Sequence, residues 1–376
     1  MRTRLARYAA ASSAMLLLAV TACGGDDGDG GSDVDPVATG DLSAAEEEAL
    51  GGPEAVAAMQ QLYQAATGGG QTEVTVYGPG EVDKEPVYEI FSQRFPGITV
   101  NAVYLVGPDY SAKLEGEVAS GQHVADLVQA GDTSVSGQVG MDYFEDFDPV
   151  TAEGLDPVYQ DPGGLVLGAS ATAFGYMYNT NLMNADETPA GWEELVDPTY
   201  RGQLASDDPT RFGGGFSTLS HLLWDGRFGA DYIGDLSAQE LHFESSIPAA
   251  GTAVATGQYA LHPFYPLSFY YRDRDKGAPV DFVFPTEGGV HISPHYLGLM
   301  QGAPNPDAGK LLMTWLFSPE GQQAAADIGY YPLMPGAAGP EGYPSAEELD
   351  LLKPFPLADV NQIARDNLAT VQAAFE

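Results

Sequence analysis

Large apolar rings recur at every second position in Phe174-Gly175-Tyr176-Met177-Tyr178, the period a half-buried strand imposes. Turn-forming residues over 179–184 break that pattern. Beyond Pro189, Trp192, Leu195 and Val196 fall at helical spacing behind the acidic pair Glu193-Glu194, so a short helix is expected that Asp197-Pro198 stops. A strand over 202–206, a loop over 207–215 and a helix over 216–224 with Leu219, Leu222 and Leu223 turned inward follow.

Upstream, a helix over 42–66 is interrupted at Gly51-Gly52-Pro53 and carries the stripe Val56, Met59, Leu62 and Ala65. The pattern then predicts strand 73–77, helix 87–95, strand 98–105, helix 110–120 and strand 125–128. Strand, helix, strand is the order of a parallel right-handed unit, and ligands collect beyond the carboxyl ends of such strands. The loops 78–81 and 131–134 are therefore expected to face one crevice. Later, 259–271 is aromatic throughout, 280–284 reads as a strand, and 291–300 returns the chain to its first half. A helix over 306–317 carries Ala308, Leu311, Leu312 and Trp315, and Ser318-Pro319 starts another, with Ser318 as its N-cap.

The signals Tyr178-Asn179-Thr180, Pro189, Trp192-Glu193-Glu194-Leu195, Asp197-Pro198, Tyr200-Arg201-Gly202 and Asp208-Pro209 stand in one order and spacing. That series resembles the crossover region of bacterial extracellular solute-binding proteins of the group serving iron(III), polyamines, thiamine and phosphonates. Residues 94–100, Gly302-Ala303-Pro304-Asn305-Pro306, 318–322 and Gly329-Tyr330-Tyr331-Pro332 resemble the same family, and together the matches cover most of 74–335. The resemblance implies an α/β, two-lobed, periplasmic-binding-protein-like fold of type II with hinge crossover strands. It divides the chain into 53–170 as the first part of lobe 1, 171–290 as lobe 2, and 291–376 as the return to lobe 1 with C-terminal helices. It also implies a monomeric ABC-importer component without a cofactor. Such a receptor closes over a small molecule or ion and hands it to a permease driven by a separate ATPase.

Arg2, Arg4 and Arg7 precede an apolar run over 9–20, and Val20-Thr21-Ala22-Cys23 resembles a bacterial lipobox. Residues 1–22 are accordingly expected as a lipoprotein signal peptide and Cys23, the single cysteine, as the lipidated residue on the exported side of the membrane. An ordinary secretory signal with an incidental cysteine is the alternative. The Gly/Asp tract 24–41 has almost nothing to bury, so 23–52 is expected as an acidic tether. Lys plus Arg number 15 against 53 Asp plus Glu, a formal net charge of −38, which excludes nucleic acid as a partner for want of a basic surface.

Neither a G-x-S-x-G elbow, H-E-x-x-H, a P-loop nor a dinucleotide fingerprint occurs, so a binding protein is expected rather than an enzyme. A secreted hydrolase with a Ser/His/Asp site assembled from distant positions is the competing class. Gly213-Gly214-Gly215 before a helix offers either an open anion site or a plain flexible turn. His291 and His295 are four apart, yet Pro294 and Ile292 between them favour an extended segment over a metal-binding helix face. The expected ligand-binding set is Gly80, Glu81, Asp132, Thr133, Tyr176, Asp208, Arg211, Gly214, Ser217, Tyr265, Tyr270 and Tyr271. Backbone amides, hydroxyls and one guanidinium suit a small oxyanion or zwitterion better than a sugar. Relatives that bind iron(III) use paired tyrosinates, so Tyr270 and Tyr271 are the metal alternative. This chain departs from those relatives, with Leu267 and Ser268 where their pair stands and no histidine or arginine in 77–81.

Overall fold

The computed structural model describes residues 42–78, 82–105 and 107–376. Residues 1–22, expected as a signal peptide, Cys23, the tract 24–41, Gly80 and Glu81 lie outside the described residues. Helix α1 (Ala44–Ala49) falls within the stretch expected as tether and opens on a capping box: the Glu46 amide donates to Ser43 Oγ at 3.3 Å and the Ser43 amide to Glu46 Oε2 at 2.8 Å. Gly52, at φ 90°, makes the break before α2 (Pro53–Gly68).

Strand β1 (Glu73–Tyr77) leads to α3 (Glu85–Arg94), β2 (Thr99–Val103), α4 (Gly107–Ser120), β3 (Leu127–Gly131) and the short α5 (Asp132–Ser136). β1 pairs in parallel with both β2 and β3, the arrangement the strand–helix–strand order predicts. After β4 (Phe144–Glu145) comes β5 (Val166–Asn179), whose 14 residues begin well before the alternation at Phe174. Ala169, Ala171 and Ala173 are buried on a strand covered on both sides, so its first half shows no polar–apolar contrast to read.

The helix expected after Pro189 does not form. Residues Glu194–Val196 and Pro198–Tyr200 make two single 3-10 turns instead, the second capped by Asp197, whose carboxylate accepts from the Thr199 amide at 2.8 Å. Fewer than two turns separate Gly191 from Asp197-Pro198, and a helix that short cannot repay its nucleation cost. Trp192 and Leu195 are buried all the same, so the spacing read as helical records which side chains turn inward.

The chain continues through β6 (Ala205–Asp207), α6 (Gly214–Asp225), α7 (Ala230–Ser237), β7 (His242–Glu244) and α8 (Ile247–Ala255). Then follow β8 (Leu261–Pro266), α9 (Leu267–Asp275), β9 (Val280–Val283), β10 (His291–Met300), α10 (Pro306–Leu316), α11 (Pro319–Asp327), β11 (Tyr331–Pro332) and α12 (Val360–Phe375). A nine-stranded sheet runs β11-β5-β10-β3-β1-β2, with β4 joined to β10 and both β8 and β9 joined to the far end of β5. β6 and β7 form a separate parallel pair. β5 and β10 lie antiparallel at the sheet centre, and the register shifts opposite His295 and Tyr296, where Ala169 is the extra residue of a bulge on β5. His291 and His295 thus stand on a strand, as Pro294 and Ile292 favour.

β5 also belongs to two cores. Ala169, Ala171, Ala173 and Met177 face the one built with α2, α3, α10 and α11. Tyr176 and Tyr178 face the other, with Trp192, Phe216, Phe264 and α7. α12, too, is shared: it packs on α6, α7 and α5, and Asn367 Nδ2 donates to Ser220 Oγ at 2.9 Å.

Two polar anchors explain stretches that carry the family resemblance. Buried Asp126 accepts from the Thr75 amide at 2.8 Å and the Asn305 amide at 2.6 Å, fixing the turn 302–306 against β1. Buried Gln322 donates to the Ala169 and Leu316 carbonyls, each at 2.8 Å, and accepts from the Leu333 amide at 3.0 Å and the Met334 amide at 3.2 Å. A side chain with every hydrogen-bonding position filled locks α11, β5 and β11 together at little desolvation cost.

Candidate functional site

A cleft of about 310 Å³ opens where the carboxyl end of β3 meets the first turn of α6. Asp132 and Thr133 form one wall, Gly214, Phe216 and Ser217 the opposite one, and Phe174 with Thr172 on β5 the floor. Its size lies at the small end of ligand sites, enough for a solute of a few heavy atoms. Ring faces of Phe174, Phe212, Phe216 and Phe269 make most of the surface apolar, with Thr133, Thr172, Ser217, Ser268 and Ser293 placing hydroxyls among them.

Of the residues expected to bind ligand, Asp132, Thr133, Gly214 and Ser217 line this cleft. The others described stand elsewhere. Tyr176 is fully buried beside Trp192, with ring centroids 5.3 Å apart, and its hydroxyl has no hydrogen-bond partner among the described residues. Arg211 projects into solvent, 82% exposed, and pairs with Asp208 at 3.2 Å. Tyr265 donates to Asp273 Oδ2 at 2.5 Å, Tyr270 to Asp281 Oδ1 at 3.0 Å and Tyr271 to the Glu341 carbonyl at 2.7 Å. Burial raises the pKa of all three phenols, that of Tyr271 to about 12, so none is readily ionised in this arrangement. Among the described residues no group of three His, Cys, Asp or Glu side chains is placed to hold a metal ion.

The glycines at the start of α6 are close-fitting. The Gly215 amide donates to Asp207 Oδ1 at 3.0 Å and Oδ2 at 3.3 Å, so a carboxylate of the chain itself already sits at the positive helix end. A Cβ at Gly213 would collide with that carboxylate, which accounts for glycine there better than flexibility does. Burial pushes the Asp207 carboxyl up to about 6 against the lowering effect of those amides. Asp132 in the cleft is likewise pushed up to about 6 by burial, and only the Thr133 amide, at 2.6 Å, opposes the rise.

Histidines outside the expected ligand-binding set shape the cleft's rear. His291 stacks on Phe174 at 4.8 Å and lies 4.0 Å from His221, which in turn lies 3.8 Å from Phe355, all centroid distances. A carbonyl can only accept, so the 2.8 Å contact between His221 Nδ1 and the Ser217 carbonyl puts the His221 proton on Nδ1. His291 Nε2 lies 3.0 Å from Ser217 Oγ. His295 lines the cleft with Nε2 3.0 Å from Thr172 Oγ1 and Nδ1 2.7 Å from Lys84 Nζ. Thr172 and Ser293 are strand partners, and polar residues facing each other inside apolar strands were the available clue.

Known proteins share this architecture. A substrate-binding protein of an ABC transporter from Agrobacterium tumefaciens superposes with TM-score 0.68 at 18% identity, covering 81% of this chain and 94% of that one. Iron-bound HitA from Pseudomonas aeruginosa gives 0.66 at 16%, over 81% and 99%. AfuA from Actinobacillus pleuropneumoniae, with exogenous fructose-6-phosphate bound, gives 0.63 at 19%, over 80% and 98%. These likenesses give the fold, the two-lobed periplasmic-binding-protein type. Among curated relatives, an uncharacterized Haemophilus influenzae protein is 28% identical over 157 residues, 40% of this chain and 44% of its own. A Salmonella typhimurium protein named as a 2-aminoethylphosphonate-binding periplasmic protein is 23% identical over 161 residues, 41% and 47% of the two chains, so the match spans about half the length of these relatives. The model of the bacterial extracellular solute-binding protein family matches residues 87–350, most of the folded chain, and the chain belongs to that family.

Proposed function

We propose that this protein is the lipid-anchored receptor of an ABC importer for a small oxyanion or zwitterion. Its lobes, 53–170 with 291–376 and 171–290, close over the solute, and the monomer then hands it to the permease and its ATPase. The observation that carries the reading is the cleft, where hydroxyl donors of Thr172, Ser217 and Ser268 stand on an apolar bed with the Asp132 carboxylate on the β3 side. Hydroxyl donors and a carboxylate lining one cleft suit a molecule that carries both an anionic and a cationic group. The name of the Salmonella relative and the sugar phosphate in AfuA point to the same ligand chemistry. An iron(III) site has less support, because Tyr270 and Tyr271 spend their hydroxyls on Asp281 and Glu341.

The acidic surface does not veto an anion. Exposed charges are screened beyond about 8–10 Å at ordinary ionic strength, so the donors in the cleft decide what it holds. Calorimetry with 2-aminoethylphosphonate, phosphate, spermidine, thiamine and iron(III), with small-angle scattering on any pair that binds, tests the whole reading. Saturable binding of a phosphonate or phosphate is expected, with a smaller radius of gyration once bound, because the solute touches both lobes only in the closed state. Binding of spermidine alone, a tyrosinate charge-transfer colour with iron(III), or an unchanged radius at saturation would each reject it. Anchoring has its own check. Cys23→Ala should block lipid attachment and leave the protein either unprocessed or released without detergent, and unchanged fractionation with an intact cleavage product would refute the lipid.

A further inference from the structure

Lys84 ends the single turn Val82–Lys84 in front of α3 and is only 4% exposed, yet it makes no ion pair among the described residues. Its Nζ meets His295 Nδ1 at 2.7 Å and lies 4.8 Å from the Tyr330 ring centroid. Behind the cleft floor a cation has therefore been buried against an imidazole instead of a carboxylate. An ammonium can only donate, so a charged Lys84 makes Nδ1 the acceptor and leaves the His295 proton on Nε2. That proton is given to Thr172 Oγ1, 3.0 Å away, and the Thr172 hydroxyl proton is then free to point into the cleft. An independent sign that a ligand completes this end is Ser268, a cleft residue 3% exposed whose Oγ has no partner among the described residues.

We propose that Lys84, His295 and Thr172 form a hydrogen-bond relay that presents a donor to the oxyanion end of the solute, with Lys84 positioning the relay and Thr172 touching the ligand. This rests on the oxyanion reading above and gives it a sign. A neutral Lys84 gains a lone pair and lets every bond reverse: the amine accepts from His295 Nδ1–H, Nε2 accepts from Thr172, and the cleft meets only oxygen lone pairs. Burial lowers Lys84 to about 7 and holds His295 well below the usual histidine range, so the reversal falls near neutral pH. The titratable and charged groups around the relay are few. Asp83, next in the chain, lies 3.6 Å from Arg272, and Tyr88 donates to Gln129 at 2.8 Å. Tyr330 lies under Lys84, and Asp132 follows Gly131, the strand partner of His295.

Anion binding should take up a proton, so affinity should fall as pH rises through the free Lys84 pKa. The test uses 2-aminoethylphosphonate and inorganic phosphate on wild type, Lys84→Met and Thr172→Val between pH 6 and 9, with 15N NMR of His295 in the ligand-free proteins. Each probe's own ionisation is common to the three proteins, so the affinity ratio to wild type isolates the relay. At pH 6 both variants should bind about tenfold or more weakly, as expected for one lost hydrogen bond to a charged group, and the deficit should shrink toward none at pH 9. His295 should carry its proton on Nε2 at pH 6 and on Nδ1 at pH 9 in wild type, and show no such switch in Lys84→Met. A ratio constant across pH, or a wild-type tautomer that never changes, overturns the relay. Failure of both probes to bind wild type, with the tautomer switch intact, overturns the oxyanion reading instead. Thr172→Val removes one hydroxyl at nearly constant volume, so its result holds even where Lys84→Met folds poorly.

Discussion

Acidification from pH 7 to pH 5 is expected to lower the unfolding free energy by about 3–5 kcal/mol, a large share of the 5–15 kcal/mol typical of a folded domain. Burial holds His221 down to about 4 and His262 down to about 3, and holds His291 and His295 well below the usual value. Folded, these rings stay neutral. Unfolded, each takes up a proton below about pH 6.5, so the stability that their depressed pKa contributes is present above that pH and is lost as pH falls. Each ring withdraws about 1.4 kcal/mol per pH unit over that window.

Asp132 and Asp207 work in the opposite sense. Their folded pKa, about 6, lies above the unfolded value, so both bind protons in the folded state first and gain stability on acidification between about pH 6 and 4. The histidines outnumber them, which leaves a net loss. Lys84, lowered to about 7, acts above this window, since a base with a depressed pKa loses stability as pH falls from its unfolded value near 10.4 toward 7. Urea titrations at pH 7 and 5 would measure the difference. His262→Asn keeps an acceptor for the Phe264 amide, now 3.1 Å from Nδ1, and should flatten the pH slope by about one histidine's worth. Equal stability at the two pH values, or an unaltered slope in the variant, would show that these rings are not buried neutral.

What could be read along the chain depended on whether one stretch of sequence held the whole cause. β1 alternates and is bounded by turn formers, and Ser318 caps α11 through its own side chain, accepting from the Gly321 amide at 3.2 Å, so both were legible from neighbours in sequence. Asp132 and Thr133 reach the cleft because strand ends in a parallel sheet face one side, a rule that needs only element order, whereas Gly214 and Ser217 follow β6 in the separate β6–β7 pair and meet them only through the tertiary fold. The Lys84–His295 contact joins residues 211 apart, and nothing near either position announces the other. Aromatic density misled. Tyr265, Tyr270 and Tyr271 read as ligand-binding residues, whereas β8 and α9 turn them into the core, where their hydroxyls find Asp273, Asp281 and a backbone carbonyl. A tyrosine buries its ring as readily as it offers its oxygen.

Trp192→Ala should remove about 3–5 kcal/mol of stability, the usual range for deleting a fully buried aromatic. The side chain is 0% exposed, meets the Tyr176 ring edge-on at 5.3 Å and stacks on Phe264 at 6.0 Å. Its Nε1 donates to the Gly289 carbonyl at 2.8 Å, and its own carbonyl accepts from Tyr232 at 2.9 Å. The backbone has been shaped around it. Gly288, at φ 84°, would set a Cβ 2.9 Å from Trp192 Cδ1, and Gly191 forms a bridge with Glu287. The Trp-Glu-Glu-Leu signal thus owes its tryptophan to packing, since Glu193 and Glu194 beside it are exposed. Gly289 leads through Val290 into β10 and His291, so Trp192 fixes where the crossover strand enters the sheet. Trp192→Phe should cost less, about 1–2 kcal/mol, chiefly by leaving the Gly289 carbonyl without its donor. Leu182→Ala, at a site 54% exposed, should change stability by no more than about 0.5 kcal/mol and serves as the baseline. Urea denaturation of the three variants at pH 7 gives the ranking; a Trp192→Ala loss no larger than that of Leu182→Ala would mean that the tryptophan is not the plug of this core.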